Sequence, residues 1–364
     1  MPTHHLKSEA QPNNVLQQGW AWCQQNLFNG LFNSALTIIS MAFLLWWVPP
    51  LLDWAIFDAN WIGQTRADCI KDGACWVFIK ARWNQFVYGF YPEAELWRVN
   101  LAAGGFSLTV AAWFIAPLRK KGVLAIWTFV GIPLVSWILL RGGLLELPPV
   151  ATSQWGGMFL TLLISSVGIV CSLPLGILLA LGRRSRLPII KSFSIIFIEF
   201  WRGVPLITVL FMSSVMLPLF MPADTSVDRL MRVLIGIALF SSAYMAEVVR
   251  GGLQSIPKGQ YEAAAAMGLG FWQSTYLVIM PQALKVVIPG IVNTFIGLFK
   301  DTTLVAIVGM FDLLGIIQAA FNDPNWLDMI TEGYVFAAIF YWIFCYGMSK
   351  YSHNLELRLK KGHS

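Results

Sequence analysis

The chain has 364 residues, of which 57% are hydrophobic and 12% charged, with a formal net charge of +6. Soluble globular chains carry about 25% charged residues, so the composition excludes an ordinary soluble domain and places the chain in the membrane class. The basic excess sits in short clusters between apolar runs, a pattern that fits the Lys/Arg bias of cytoplasmic membrane loops and not a nucleic-acid surface.

The start, Met1 to Asn14, is polar and lacks the apolar core and cleavage site of a secretory leader. Residues 1–33 read as a cytoplasmic amphipathic segment, with Leu16, Trp20, Cys23, Leu27 and Leu31 at helical spacing opposite Gln and Asn. Such a helix lies on the membrane surface or packs as a leader on the first span. Apolar runs long enough to cross roughly 30 Å of hydrocarbon, about 20 residues each, then recur at 35–52, 101–118, 123–140, 159–181, 189–220, 230–249, 284–314 and 334–348. The expectation is an all-α polytopic protein with eight transmembrane helices. Block 34–150 holds three of them and an outer loop, 53–100. Block 151–350 holds five, with most of the intramembrane polar residues and a cytoplasmic loop at 251–285. Residues 351–364 form a cytoplasmic tail.

The basic clusters set the orientation. Arg119, Lys120 and Lys121 follow the second run, and Arg183, Arg184, Arg186 and Lys191 the fourth. Arg250, Lys258 and Lys285 flank the loop after the sixth, and Lys350, Arg358, Lys360 and Lys361 follow the eighth. If each run crosses once, all four clusters share one side, which is the cytoplasmic one, and both termini are inside. The outer loop runs against the rule with Arg66, Lys71, Lys80, Arg82 and Arg98, offset by six acidic residues. Cys69 and Cys75 share this loop, where an oxidising compartment lets a disulfide persist; two free thiols are the alternative. Cys23, Cys171 and Cys345 lie in or beside apolar runs.

Charge inside a membrane costs about 2.5–3.5 kcal/mol per residue on insertion scales, which makes each such residue a functional candidate. Glu199 and Arg202 lie well inside the fifth run, near its middle by helical rise. Gly203 and Pro205 follow at once, and Pro205 removes the N–H that would bond the Trp201 carbonyl, predicting a break whose helix ends face a pore. Lys300 and Asp301 fall about 24 Å along the seventh run, with Asn293 and Thr294 lower down. Glu247 and Arg250, three apart, can pair on one helix face as an inner gate or a structural clip. His4, His5, His353 and His363 form no metal-ligand pattern, and no Gly-Lys followed by Ser or Thr offers a Walker A phosphate loop.

The sharpest pattern is SIPKGQYEAAAAMGLGFWQSTYLVIMPQALKVVIP at 255–289. Pro257 can open a short helix, Glu262 suits its first turn, and the alanines 263–266 have the highest helix propensity. Gly268 and Gly270 stop it with a left-handed cap. Tyr261, Met267, Leu269 and Phe271 give it apolar surface for a groove in a cytoplasmic partner.

Glu262-Ala263-Ala264, then Gly268, then Ile279-Met280-Pro281, resemble the coupling-loop signature of bacterial ABC importer permeases, with Met280 where Leu is usual. The motifs Glu199-Phe-Trp-Arg-Gly-Val-Pro205, Ala243-Tyr-Met-Ala-Glu-Val-Val-Arg-Gly-Gly252 and Lys300-Asp-Thr302-Thr303 resemble the polar amino-acid uptake branch. Ala67-Asp-Cys69, Gly73-Ala-Cys75-Trp76 and Trp97-Arg-Val-Asn100 are similar to the general L-amino-acid permeases, whose shorter, second subunit this chain resembles over nearly its whole length. The resemblance implies a type I permease core of five spans with three added before it. It implies a second homologous permease subunit, two cytoplasmic ATP-binding subunits holding ATP and Mg, a periplasmic amino-acid-binding protein, and no cofactor or enzyme activity in this chain. It also implies that Tyr261, Glu262, Ala263, Ala264 and Gly268 couple to the ATPase. On that footing Arg202 binds the substrate α-carboxylate and Asp301 its α-ammonium or a basic side chain. Alternatively Arg202 pairs with Glu199, and Lys300 with Asp301 or Glu199, as a structural network. An ion-gradient-driven secondary transporter explains the buried charges equally well but does not require the alanine-rich external helix, and a membrane enzyme would need convergent His, Asp or Cys at membrane depth.

Overall fold

The computed structural model describes residues 15–70, 72–115, 117, 121–143, 146–222 and 227–361. Met1 to Asn14 with His4 and His5, and Lys71, Arg119, Lys120 and His363, lie outside the described residues, as do the side chains of Lys121, Lys360 and Lys361. The described chain is all-α, and its extended contacts are isolated bridges. It divides into two compact units, Met1–Val77 and Phe78–Ser364.

In the first unit α1 (Val15–Asn26) is joined to α2 (Leu31–Leu52) by a turn in which the Thr37 hydroxyl donates to the Leu27 carbonyl, 2.8 Å. α2 runs on through a π turn to Phe57, giving a 27-residue apolar helix. The following loop folds back on that end. Ala74 donates its N–H to the Trp54 carbonyl at 2.8 Å, and the Trp76 indole donates to the Ala55 carbonyl at 2.8 Å. Asn60 and Cys75 pair as a bridge, and Cys69 and Cys75 are joined by a disulfide with Cα atoms 5.7 Å apart. A side chain at Gly73 would collide with the Asp58 carbonyl at 2.4 Å, so only glycine permits this fold-back.

The second unit follows from α3 (Val77–Ala81) and α4 (Trp83–Tyr88) through α5 (Leu96–Ile115), α6 (Lys121–Ile126) and α7 (Ile132–Arg141), the last two joined by a π turn. Trp113 and Trp127 donate indole N–H groups to Thr128 and Thr109, at 3.0 and 3.3 Å, tying α5 to the helix that follows it. The charges that ran against the orientation rule in this part of the chain are structural. Arg98 is fully buried, pairs with Glu95 at 2.7 Å and donates to the Pro148 carbonyl at 2.8 Å, while Arg82 pairs with Asp323. The chain reaches α8 (Gly157–Arg183) at a backbone contact. Gly89 has φ +70°, and a Cβ there would sit 2.4 Å from the Gly156 Cα.

α8 packs along α11 (Arg229–Ser255), and this pair organises the core. α8 carries a stripe of small buried residues: Gly157 and Thr161 at its start, against the Phe86 carbonyl and the Leu313 N–H, then Ser165, Gly168, Ser172, Gly176 and Ala180. Gly168 faces Ile237, and Gly176 faces Met245 and Ala246, so the two helices run parallel in constant register. Lipid tails are as apolar as leucine, so membrane helices associate by close van der Waals fit, and small residues allow it.

Between them come α9 (Pro188–Gly203) and α10 (Leu206–Phe211). The fifth run is therefore not one span but a pair bent by 102°. Val204 is extended (φ −107°, ψ 132°) because the ring of Pro205 disfavours a helical residue before it. Beyond α11 lie α12 (Lys258–Ala266), α13 (Phe271–Ser274), α14 (Met280–Val286), α15 (Ile288–Asp301), α16 (Leu313–Ala320) and α17 (Ile330–Lys361). The buried Asp312 caps α16 through the Gly315 N–H at 2.9 Å and accepts the Tyr341 hydroxyl of α17 at 2.8 Å.

Among the described residues six helices are long and apolar enough to cross a membrane, or seven if the bent pair is one span. The expected second span, α5, is a 20-residue helix outside that set, and its first turn holds Arg98. The seventh span starts at Ile288 rather than 284, because Val287 (φ −100°, ψ 8°) separates it from α14. The sixth extends to Ser255, so the loop after it begins at Ile256 rather than 251.

Candidate functional site

α9 ends in a cluster of charge that sequence spacing only half anticipates. Glu199, Arg202, Glu247 and Arg250 converge: Glu247 and Arg250 pair on one helix face as expected, Glu199 and Arg202 do not pair with each other, and a fifth residue joins. Arg183, the last residue of α8, donates through Nη1 to Glu199 Oε1 and to Glu247 Oε1, both at 2.9 Å. Arg250 grips Glu247 through Nη2 and Nε at 2.7 and 3.0 Å. Arg202 stands 3.6 Å from Glu247 and lies over the Tyr244 ring at 5.8 Å. The expected Arg202–Glu199 pair is thus replaced: Glu199 pairs with Arg183, and Arg202 with Glu247. Three guanidinium groups share two carboxylates, which leaves one positive charge over.

The cluster lies toward the C-terminal ends of α8 and α11. Glu247 is eight residues from the end of α11, about 12 Å by helical rise. The sequence placement assumed a straight fifth span, and the 102° bend removes it. Glu199, Arg202 and Gly203 are exposed, and a Cβ built on Gly203 would meet nothing within 4 Å. Gly203 is therefore open backbone beside Arg202, while the turn itself belongs to Val204 and Pro205. The α9 carbonyls of the last turn lack helical donors beyond it. A guanidinium next to such an end can hold a carboxylate by paired, charge-assisted hydrogen bonds.

On α15, Asn293 and Lys300 are exposed and lie on one face with Gly297. With α15 starting at Ile288, Lys300 is about 18 Å along it and nearer the middle of the span than the sequence placed it. Asp301 is half-buried beside Lys300. No contact among the described residues joins Lys300 or Asp301 to the arginine cluster. Thr302 is removed from the substrate candidates: it is 1% exposed and donates to the Phe299 carbonyl at 2.8 Å.

Another cavity, of about 280 Å³, lies between α8, α9 and α11, lined by Leu178, Leu179, Phe193 and Phe197 with only Ser194 and Ser242 as polar groups. Its walls offer no partner for the two charges of a zwitterion, so it is not the substrate site. No group of three His, Cys, Asp or Glu able to hold a metal occurs among the described residues.

Beyond the end of α11 stands α12. Pro257 is its N-cap, and Gly268 (φ +76°) supplies the left-handed stop. Gly270 (φ −64°) instead opens α13, and Glu262 sits in the second turn rather than the first. Ala264 is buried, whereas Glu262 and Ala263 are exposed. Met267, Phe271 and Trp272 are 79%, 61% and 70% exposed, an apolar ridge without a covering element. Tyr261 leaves that ridge. Its ring lies under the Arg184 guanidinium at 5.4 Å, and its hydroxyl accepts from Arg184 Nη1 at 2.9 Å. Sequence reasoning placed Tyr261 outward, toward a partner, and treated Arg183 and Arg184 only as orienting charges. Their position at the very end of α8, next to the run of motif residues, was the available signal.

The family described as "Binding-protein-dependent transport system inner membrane component" matches residues 172–361. The Inner membrane amino-acid ABC transporter permease protein YhdY of Escherichia coli (strain K12) is 59% identical over 344 residues, covering 94% of this chain and 93% of the relative. The Glutamate/glutamine/aspartate/asparagine transport system permease protein BztC of Rhodobacter capsulatus is 40% identical, over 94% of each chain. A solved structure described as "Crystal structure of an amino acid ABC transporter with histidines" superposes with a TM-score of 0.49 at 29% identity, covering 56% of this chain and 92% of that one.

Proposed function

The chain belongs to the family of binding-protein-dependent transport system inner membrane components, and on that premise we propose that it is the permease subunit of an ATP-driven importer which takes L-amino acids from a periplasmic binding protein by alternating access. It is a multi-pass inner-membrane protein and a non-catalytic component, with ATP hydrolysis assigned to separate subunits. Two relatives that match it along their length are described as amino-acid permeases. This favours the ATP-driven reading over an ion-gradient-driven transporter.

The observation that carries the proposal is a pair of polar faces with nothing over them. Glu199, Arg202 and Gly203 on α9, and Asn293 and Lys300 on α15, are exposed on helices that are otherwise apolar. Turned to lipid, each charge would cost about 2.5–3.5 kcal/mol on insertion scales. A water-filled path shared with a second, homologous permease subunit removes that cost. In it Arg202 holds the substrate carboxylate, and Asp301 faces its ammonium group. The exposed ridge of Met267, Phe271 and Trp272 is the corresponding seat for one of two cytoplasmic ATP-binding subunits, which hold ATP and Mg. The loop holding α12 and both termini are then cytoplasmic, and the disulfide-bearing loop periplasmic.

The test is reconstitution of both permeases with the ATPase subunits and the binding protein in proteoliposomes. Labelled L-amino acids should accumulate only with ATP inside the ATPase compartment. Arg202→Ala should leave the ATPase bound and cut uptake about 10- to 100-fold, the value of charged hydrogen bonds of about 1.5–3 kcal/mol. Normal uptake by that variant removes the carboxylate assignment, and uptake driven by an ion gradient alone removes the importer.

A further inference from the structure

Arg184 touches three helices at once. It caps the C-terminal end of α8, and its Nη1 donates to the Tyr261 hydroxyl of α12 at 2.9 Å and to the Leu253 carbonyl of α11 at 3.3 Å. The Tyr261 hydroxyl in turn donates to that same carbonyl at 3.2 Å. The neighbouring residue, Arg183, holds Glu199 of α9 and Glu247 of α11. Consecutive Cα atoms are about 3.8 Å apart. The clamp on α12 and the clamp on the break in α9 are therefore two adjacent side chains on one helix end.

Glu247 is oversubscribed. Arg250 and Arg183 hold it at 2.7 and 2.9 Å, and Arg202 waits at 3.6 Å. A displacement of about 1 Å takes a 2.9 Å contact out of hydrogen-bond range.

From this geometry we propose that Arg183 and Arg184 are positioning residues that convert movement of α12 into capture or release of Arg202. With α12 seated, Arg184 is anchored on Tyr261, Arg183 occupies Glu247 and Glu199, and Arg202, ion-paired with Glu247 only at 3.6 Å and without a hydrogen bond to it, keeps its donors for the pore and its substrate. When α12 is drawn away, Arg184 follows Tyr261 and Arg183 leaves Glu247. Arg202 then closes on the vacated Glu247 oxygen and gives up the substrate carboxylate. The two states differ in what Arg202 binds, which is the differential affinity that any coupled movement requires. The inference rests on the importer reading above and adds the route by which force reaches the site.

The experiment uses the whole complex in proteoliposomes and reads ATP hydrolysed per amino acid transported. Coupling between sites amounts to about 5- to 150-fold, so Arg184→Ala should raise that ratio about tenfold. Arg184→Lys, which keeps a cation over the ring but loses the planar fork, should fall between parent and Arg184→Ala. Tyr261→Phe, which keeps the ring and loses the hydroxyl, should also raise the ratio. An unchanged ratio in Arg184→Ala and Tyr261→Phe overturns the proposal. So does a proportional loss of hydrolysis and uptake, since that marks a residue holding only the docking surface. If Arg184→Ala does not assemble, Tyr261→Phe decides alone. A parent complex that transports without ATP would instead overturn the reading beneath, which this ratio does not probe.

Discussion

The helix Leu31–Phe57 and the helix α11 are both 27 residues long and both long and apolar enough to span a membrane. The first is the more apolar and none of its residues is buried; the second is less apolar and mostly buried. The less apolar helix is the one inside. Hydropathy reports compatibility with lipid and not burial in protein, because the bilayer interior rewards leucine as well as a protein core does. Residue size decides instead. α11 turns inward Gly236, Ala238, Ser241, Ser242, Ala243, Ala246 and Gly252 between its larger buried residues, whereas α2 leaves Leu31, Phe32, Phe43, Leu45, Trp46 and Trp47 exposed.

The strongest way to break this comparison is to spoil the fit. A Cβ on Gly176 would lie 2.7 Å from the Met245 Cβ and 3.0 Å from the Ala246 nitrogen. Overpacking costs typically about 1–3 kcal/mol, and a branched side chain against backbone belongs at the top of that range. Gly176→Val should lower the thermal midpoint of the detergent-solubilised protein or prevent its recovery. Leu44→Ala on α2, where the side chain is 55% exposed, should stay within about 0.5 kcal/mol of the parent. Equal stability of the two variants would refute the size argument.

A smaller effect sharpens the same point for polar groups inside the second unit. Asp312 is fully buried and depends on the Tyr341 hydroxyl. Tyr341→Phe keeps the ring against Phe299 but leaves a carboxylate oxygen without its donor. The expected loss is about 1–3 kcal/mol, the desolvation penalty of an unmade buried hydrogen bond, seen as a lower unfolding midpoint with uptake retained in the surviving protein. No shift would mean that water replaces the hydroxyl.

How much of this was legible in the sequence follows from what each signal is made of. Apolar runs and Pro257, the alanines and Gly268 are local signals, and they placed six of the eight expected spans and α12 with errors at their ends, while the second run became α5, outside the set of helices long and apolar enough to span, and the fifth became a bent pair. The break at Val204–Pro205 was legible, because proline acts on its own neighbours. Its angle was not, and the 102° bend replaces the straight span on which Glu199 and Arg202 had been placed. The small-residue stripe of α8 was present as Gly157, Thr161, Ser165, Gly168, Ser172, Gly176 and Ala180, but a search for apolar runs passes over it. The partners of Glu199 and Arg202 come from α8 and α11, 16 residues from Arg183 and 45 from Glu247, and no local spacing encodes such pairings.

The smallest expected effect lies in the first unit, where polar groups are solvated and the comparison predicts little at stake. Asp68 Oδ2 accepts from the Gln64 and Thr65 N–H groups at 2.8 and 2.9 Å and from the Thr65 hydroxyl at 3.1 Å. The two backbone donors hold its carboxyl below the usual 3.8. A depressed folded value contributes stability that is fully present above 3.8 and is lost as pH falls through the folded value, so the window lies on the acid side of 3.8. Amide hydrogen exchange at Gln64 and Thr65, corrected for intrinsic rates, should lose protection across that window. In Asp68→Asn the amide cannot gain a proton there, so protection should be lower and flat with pH, while the Cys69–Cys75 bridge and α2 exchange as in the parent. A protection curve for Asp68→Asn that still bends with pH would place the titrating group elsewhere in the loop.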